Sequence, residues 1–145
     1  MLGLIETAKG FAVTLQNFFA PPETIRYPEE KPRITDRWRG IHGLFFNEEV
    51  TEELCVSCAL CARVCPALAI EMEGREKPDG RKELVRFDVD LGRCVFCGFC
   101  EEVCPVEAIR LTPAYEFSTL TREEMVLDKE DLIRIGRRAQ EKGVW

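Results

Sequence analysis

Two stretches of sequence decide the fold: CVSCALCARVCPALAI at residues 55–70 and CVFCGFCEEVCPVEAI at residues 94–109. They are offset by 39 residues and are identical at nine of sixteen positions, so the chain contains an internal duplication. All eight cysteines of the chain lie in these stretches, each of which has the spacing C-x2-C-x2-C-x3-C-P. Eight cysteines in 145 residues indicate disulfides, bound metal or redox chemistry.

The cysteine spacing predicts two iron-sulfur clusters. Three thiolates at three-residue steps on a looped backbone reach three irons of one cubane, and in bacterial two-cluster ferredoxins with this run the fourth cysteine serves the other cluster. Proline is favoured at the first helical position, so the Cys-Pro steps predict short helices at 67–70 and 106–109 that lead away from their own loops. We therefore predict two 4Fe-4S clusters that exchange their fourth ligands. The expected ligands are Cys55, Cys58, Cys61 and Cys104 for the first cluster, and Cys94, Cys97, Cys100 and Cys65 for the second.

Zinc and disulfides are the alternatives for these thiols. A zinc site typically takes two separated CxxC pairs and has no use for a third cysteine at the next step. Disulfides require export, but the apolar start of the chain carries Glu6 and Lys9 and does not resemble a signal peptide. The longest uncharged run, residues 10–20, is about half the length that a membrane-spanning helix needs. We therefore expect reduced thiols that bind metal.

The composition argues against several other functions. The formal net charge is −6, whereas a nucleic-acid-binding module normally presents a basic face, so we expect no nucleic-acid partner. The sequence contains no GxGxxG motif, no P-loop and no Ser-His-Asp set. We therefore expect no catalytic residues and no small-molecule substrate bound by this chain alone, and we predict single-electron transfer. The predicted fold class is α+β, with a small two-cluster ferredoxin core of pseudo-twofold symmetry at residues 51–112.

The pattern of residues 1–20 predicts an amphipathic helix, because apolar residues recur at helical spacing along one face. That face contains Leu4, Ile5, Ala8, Phe11, Ala12, Leu15, Phe18 and Phe19. Two hypotheses are a helix lying in the membrane interface and a helix docked on a partner protein. Packing within the chain itself is the third.

Residues 21–50 predict an extended arm, because Pro21, Pro22, Pro28 and Pro32 exclude a continuous helix. The arm contains Arg33, Arg37 and Arg39 and the single histidine, His42. One hypothesis is an arm laid along a partner subunit, with His42 near a proton-coupled redox site or in an interface hydrogen bond. The alternative is a solvated arm.

Two further segments have recognisable patterns. Strands at 69–72 and 84–88 flank a charged stretch, residues 73–82, which we interpret as a solvated loop with an Asp79-Gly80 hairpin turn. The C-terminal extension, residues 113–145, predicts a short extended piece at 115–118 and a helix at 129–142. Asp128 is the expected N-cap of this helix.

Four segments outside the cysteine runs resemble the bridging ferredoxin subunit, subunit I, of respiratory complex I (NADH:quinone oxidoreductase). They are YPEEKP at 27–32, RWRGIHG at 37–43, FDVDLGR at 87–93 and LDKEDL at 127–132. The resemblance implies a peripheral-arm subunit between the upstream electron-input module and the subunit that carries the terminal cluster beside the quinone site. It also implies that the N-terminal helix contacts a membrane-arm subunit at the cytoplasmic face of the cell membrane. Enzyme activity would then belong to the whole translocase.

Relatives of this family provide the alternative functions. An iron-sulfur subunit of a membrane-bound hydrogenase, of formate hydrogenlyase or of a cofactor F420 dehydrogenase would perform the same electron transfer without the quinone. A free soluble ferredoxin is the third hypothesis, but a mobile carrier has no need of 54 residues before its first cysteine. Glu101 and Glu102, which replace Ala62 and Arg63 of the first copy, are expected to lower the potential of the nearby cluster.

Overall fold

The computed structural model describes residues 2–35, 37–47, 53–78 and 80–143, and the chain divides into two units, 1–33 and 34–145. In the first unit, helix α1 spans Leu2–Phe18, as the apolar periodicity predicts. Residues 21–26 follow without helix or strand, because prolines lack the amide N–H that both structures use. Among the described residues, no helix is long and apolar enough to cross a membrane.

The second unit contains two small antiparallel sheets. In one sheet, β1 (His42–Leu44) pairs with β4 (Ile109–Leu111). In the other, β2 (Ile70–Glu76) pairs with β3 (Lys82–Asp90), and the far edge of β3 pairs with β5 (Val126–Leu127). β2 and β4 both begin at the isoleucine that ends a cysteine run, so the duplication extends into the sheets.

The helices of this unit differ in how they begin. The short helices α2 (Leu60–Val64) and α3 (Phe99–Glu102) each follow a left-handed residue of a cysteine loop. A 3-10 turn at Glu123–Met125 leads into β5, and α4 spans Lys129–Glu141. The side chain of Asp128 accepts a hydrogen bond from the N–H of Asp131 at 2.9 Å, so the predicted N-cap of α4 is confirmed.

The hydrophobic core lies between the two sheets and α4. Phe87 and Val89 of β3, Ile109 of β4 and Leu132 of α4 are almost completely buried. α4 packs directly on β1, where a Cβ added to Gly136 would lie 2.0 Å from the carbonyl oxygen of Leu44. The predicted α+β ferredoxin fold with helices at both ends is confirmed.

The prediction of short helices after the Cys-Pro steps is wrong, because each step forms only a single turn. The N–H of Leu68 donates to the carbonyl of Cys65, and the N–H of Glu107 donates to the carbonyl of Cys104, both at 3.3 Å. Leu68 and Glu107 then adopt positive φ, and a strand begins two residues later. The helices precede the fourth cysteine instead and contain the third cysteine of each run.

Residues 37–43 belong to the arm that we expected to lie along a partner subunit. This prediction is wrong for the end of the segment. The N–H of Gly40 donates to the carbonyl of Thr112 at 2.9 Å, and His42 then begins β1. Both glycines of the RGIHG motif allow close approach, because a Cβ on Gly40 would lie 2.2 Å from the carbonyl oxygen of Ala114 and one on Gly43 would lie 2.9 Å from Cα of Gly136. Residues 40–45 are buried and belong to the core of this chain.

The charged stretch at 73–82 is largely strand rather than loop. β2 and β3 pair as far as Glu76 and Lys82, so the predicted hairpin is confirmed but its strands are longer than predicted. Gly80 has φ 80°, as a tight turn requires, whereas Asp79 lies outside the described residues. Charged side chains do not prevent pairing here because they project into solvent.

Candidate metal centres

The cysteines of the chain line two small cavities. The first cavity is lined by Cys55, Cys58, Cys61 and Cys104, and the second by Cys65, Cys94, Cys97 and Cys100. The structure therefore groups the thiols in the two sets of four that the sequence analysis proposed.

The two loops share an unusual backbone. Positive φ occurs at Ser57 (53°), Ala59 (62°) and Leu68 (49°) in the first copy and at Phe96 (52°), Gly98 (85°) and Glu107 (50°) in the second. Each residue of the first copy has its counterpart 39 positions later. Five of these six residues are not glycine, and a left-handed conformation costs each of them about 1 kcal/mol or more. Interactions formed by the folded loops must offset this cost.

Backbone N–H groups point at the sulfur atoms. The N–H of Ala69 donates to Sγ of Cys65 at 3.3 Å, and the N–H of Ala108 donates to Sγ of Cys104 at 3.2 Å. The N–H of Phe96 donates to Sγ of Cys94 at 3.4 Å. Such donors stabilise negative charge on sulfur. They therefore favour thiolates that carry a metal cluster.

The third cysteine of each run is the most strongly perturbed thiol. Burial raises the pKa of Cys61 to about 11 and that of Cys100 to about 12, and neighbouring thiol charges act in the same direction. The helices that contain these two residues, α2 and α3, contact each other, so the two runs approach each other there. Four sulfur ligands, apolar walls and N–H donors to sulfur fit a 4Fe-4S cluster in each cavity.

His42 lines the second cavity and does not face a partner. Its side chain is 2% exposed, and its Nε2 lies 3.9 Å from Sγ of Cys94. Burial lowers the pKa of His42 from 6.5 to about 4. The prediction of an interface hydrogen bond is therefore wrong, because the side chain is buried within this chain, whereas proton exchange by His42 stays a prediction.

Arg39 places a positive charge beside the second loop, which the prediction from Glu101 and Glu102 did not include. Its Nη2 lies 4.0 Å from Oε1 of Glu102, and its guanidinium lies against the backbone of Gly98. The carboxylate of Glu101 accepts the N–H of Leu111 at 3.2 Å. The two extra acids of this loop therefore face a cation and a backbone donor that the repeat itself does not contain.

Comparison with known proteins shows the sequence family of this chain. Residues 54–131, more than half of the chain, match the sequence family of 4Fe-4S dicluster domains. The chain belongs to this family of 4Fe-4S dicluster proteins. The prediction of two 4Fe-4S clusters is thereby confirmed, because the matched region contains all eight cysteines.

This dicluster chain is also similar to a chain in the solved structure of the membrane-bound sulfane sulfur reductase, an archaeal respiratory membrane complex. The two chains are 34% identical, with a TM-score of 0.53, over 78% of this chain and 56% of that one. The dicluster chain thus spans little more than half the length of this relative.

The apolar walls of the cavities were not predicted from the sequence. Leu44, Met72 and Phe87 line the first cavity, and none of them lies in a cysteine run. The alternation of charged and apolar residues over 86–91 identifies Phe87 as a core residue. Only the strand register, however, places it beside the thiols.

Proposed function

We propose that this chain is an electron-relay subunit of a membrane-associated respiratory oxidoreductase. The observation that carries the proposal is the pair of equivalent four-thiol cavities, whose loops meet where α2 contacts α3. When bound, the clusters supply one-electron redox chemistry. The chain holds the sulfur ligands, surrounds them with apolar side chains and directs backbone N–H groups at them.

The ligand assignment is part of this proposal. Cys104 closes the site of the first loop and Cys65 closes the site of the second, which the lining of the two cavities supports. A single turn after each Cys-Pro step is compatible with this exchange, since β2 and β4 begin directly after the turns and belong to different sheets.

Two host complexes follow from different observations. The YPEEKP and RGIHG segments favour a complex I-type quinone oxidoreductase, in which electrons would pass to the terminal-cluster subunit beside the quinone site. The 34% identical relative favours a complex of the sulfane sulfur reductase type. Related membrane-bound hydrogenases, formate hydrogenlyase and F420 dehydrogenases use the same relay chemistry and remain the third possibility.

The N-terminal helix is proposed as the attachment to the membrane arm. Leu4, Phe11 and Phe18 are 71–80% exposed, although they are large and apolar. Burying one such side chain on a partner contributes about 1.5–3 kcal/mol. This helix would hold the subunit peripherally at the cytoplasmic face of the membrane, next to other peripheral-arm subunits.

The ligand assignment is tested by pairs of Cys→Ser variants of the full chain, loaded anaerobically and measured by electron paramagnetic resonance (EPR). Cys58→Ser and Cys97→Ser identify the signals of the first and second clusters. We expect Cys65→Ser to alter the signal altered by Cys97→Ser, and Cys104→Ser to alter the signal altered by Cys58→Ser. If Cys65→Ser altered the Cys58→Ser signal instead, the exchange of fourth ligands would be refuted.

The host complex is tested by purifying the native assembly through a tag on this chain. We expect a multisubunit membrane complex that reduces either a quinone or sulfane sulfur, and the measured activity selects the host. Stoichiometric nickel would identify a hydrogenase instead. Recovery of this chain only as an iron-loaded monomer would refute the relay-subunit proposal and favour a free ferredoxin.

A further inference from the structure

His42 and Phe87 occupy equivalent positions in the duplicated fold. In the β1–β4 pair, His42 lies opposite Leu111, and in the β2–β3 pair, Phe87 lies opposite Met72. Met72 and Leu111 are themselves separated by the 39-residue offset of the repeat. The pseudo-symmetry that relates the two cysteine loops therefore also relates Phe87 to His42.

These two equivalent side chains line different cavities. Phe87 lines the first cavity together with Leu44 and Met72, and His42 lines the second. Both are almost completely buried, at 1% and 2% exposure. One cavity therefore has a hydrocarbon ring where the other has an imidazole. The duplicated sequence alone does not contain this difference, because His42 lies outside both cysteine runs.

The imidazole is oriented toward one thiol. Nε2 of His42 lies 3.9 Å from Sγ of Cys94, and the ring packs against Phe96 with its centroid 5.8 Å away. Nδ1 is buried and has no hydrogen-bond partner among the described residues. An unpaired buried N–H is rarer in proteins than an unpaired acceptor. A ring proton is therefore assigned to Nε2, which has a sulfur acceptor within reach.

We propose that the Nε2–H group of His42 donates a hydrogen bond to the thiolate of Cys94 and so raises the reduction potential of the second cluster. The reason is that reduction adds negative charge to the cluster and its sulfur ligands, which a hydrogen-bond donor stabilises. This tuning opposes the effect expected of Glu101 and Glu102. The inference rests on the proposed function, since it takes Cys94 to be a cluster ligand.

The first test is an anaerobic redox titration of the full chain, followed by EPR, with three variants. His42→Phe gives the second cavity the ring of the first. We expect the equilibrium constant for reduction of the second cluster to fall about tenfold, which is about 59 mV for a one-electron couple. His42→Gln retains an N–H donor and should keep most of the native potential. Leu132→Met, an apolar exchange in the core at a residue that lines neither cavity, is the control and should leave the second potential unchanged.

The outcomes separate tuning from a purely structural role. An unchanged second potential in His42→Phe, with both clusters assembled, would overturn the proposal. An equal fall in His42→Phe and His42→Gln would also overturn it, because the N–H group would then have no part in the effect.

A second measurement leaves His42 unchanged and tests the hydrogen bond even if His42→Phe does not fold. His42 is the only histidine, so histidine labelled with nitrogen-15 marks one site in the chain. Pulsed EPR of the reduced protein should detect a hyperfine coupling from this nitrogen to the cluster whose signal Cys97→Ser alters, and none to the other cluster. Absence of the coupling would refute the hydrogen bond. A misassigned Cys65 would appear only in the Cys→Ser pairs, so failure of the ligand exchange and failure of this inference remain distinguishable.

Discussion

Gly136 is the position where one added methyl group should do most damage to the fold. A Cβ at this position would lie 2.0 Å from the carbonyl oxygen of Leu44, whereas a normal C···O contact is about 3.3 Å. α4 and β1 would therefore have to separate by about 1.3 Å. Both neighbours are backbone, which cannot rotate away, so we expect an overpacking cost of about 3 kcal/mol. The better helix propensity of alanine offsets about 1 kcal/mol. The net loss is about 2 kcal/mol.

This loss is measured by anaerobic urea unfolding of the cluster-loaded full chain, followed by far-UV circular dichroism and by the visible absorbance of the clusters. Gly136→Ala should lower the unfolding midpoint in both signals, because β1 contributes His42 and Leu44 to the two cavities. Gly10→Ala is the control, since nothing lies within 4 Å of that added Cβ. It should leave the midpoint unchanged or raise it slightly. A midpoint of Gly136→Ala within error of the native value would refute the direct packing of α4 on β1.

Four further predictions concern the anchor of α4, cluster assembly, the pH dependence of stability and the N-terminal helix. Lys129→Met should lower the free energy of unfolding by about 1–3 kcal/mol in the same urea assay, because its ammonium donates to the carbonyl of Leu84 at 2.7 Å; an unchanged midpoint would contradict this. The pKa values of Cys61 and Cys100 are raised to about 11 and 12, so the thiols must lose protons before they bind iron, and anaerobic cluster assembly should accelerate from about pH 7 to pH 9. By the same shifts, the folded cluster-free chain keeps its protons to higher pH than the unfolded chain. The free energy of unfolding of the cluster-free chain should therefore fall as pH rises from 9 toward 12. If neither the assembly rate nor this free energy changed with pH, the burial of these thiols would be contradicted. Deleting residues 1–20 should release the subunit from the membrane fraction without loss of its iron, whereas an unaltered complex would show that α1 is dispensable.

Local signals in the sequence determined much of this protein. The cysteine spacing specified two clusters, because the ligand geometry of a cubane requires closely spaced thiols on a loop. The periodicity of residues 1–20 and the Asp128 cap predicted α1 and α4, since helices are stabilised by residues three and four positions apart. The Asp79-Gly80 step predicted the β2–β3 hairpin for the same reason, as a turn depends on adjacent residues.

The tertiary structure alone decided what lies beside the thiols. β1 is only three residues long, too short for a readable alternation, and its partner β4 begins 67 positions after the start of β1. Such pairing depends on packing between distant segments, so an arm containing arginines and prolines did not look like part of the core. The same long-range register placed Phe87 in one cavity and His42 in the other. Two copies of one cysteine motif thus acquire different surroundings, because the strands that complete their cavities come from outside the repeat.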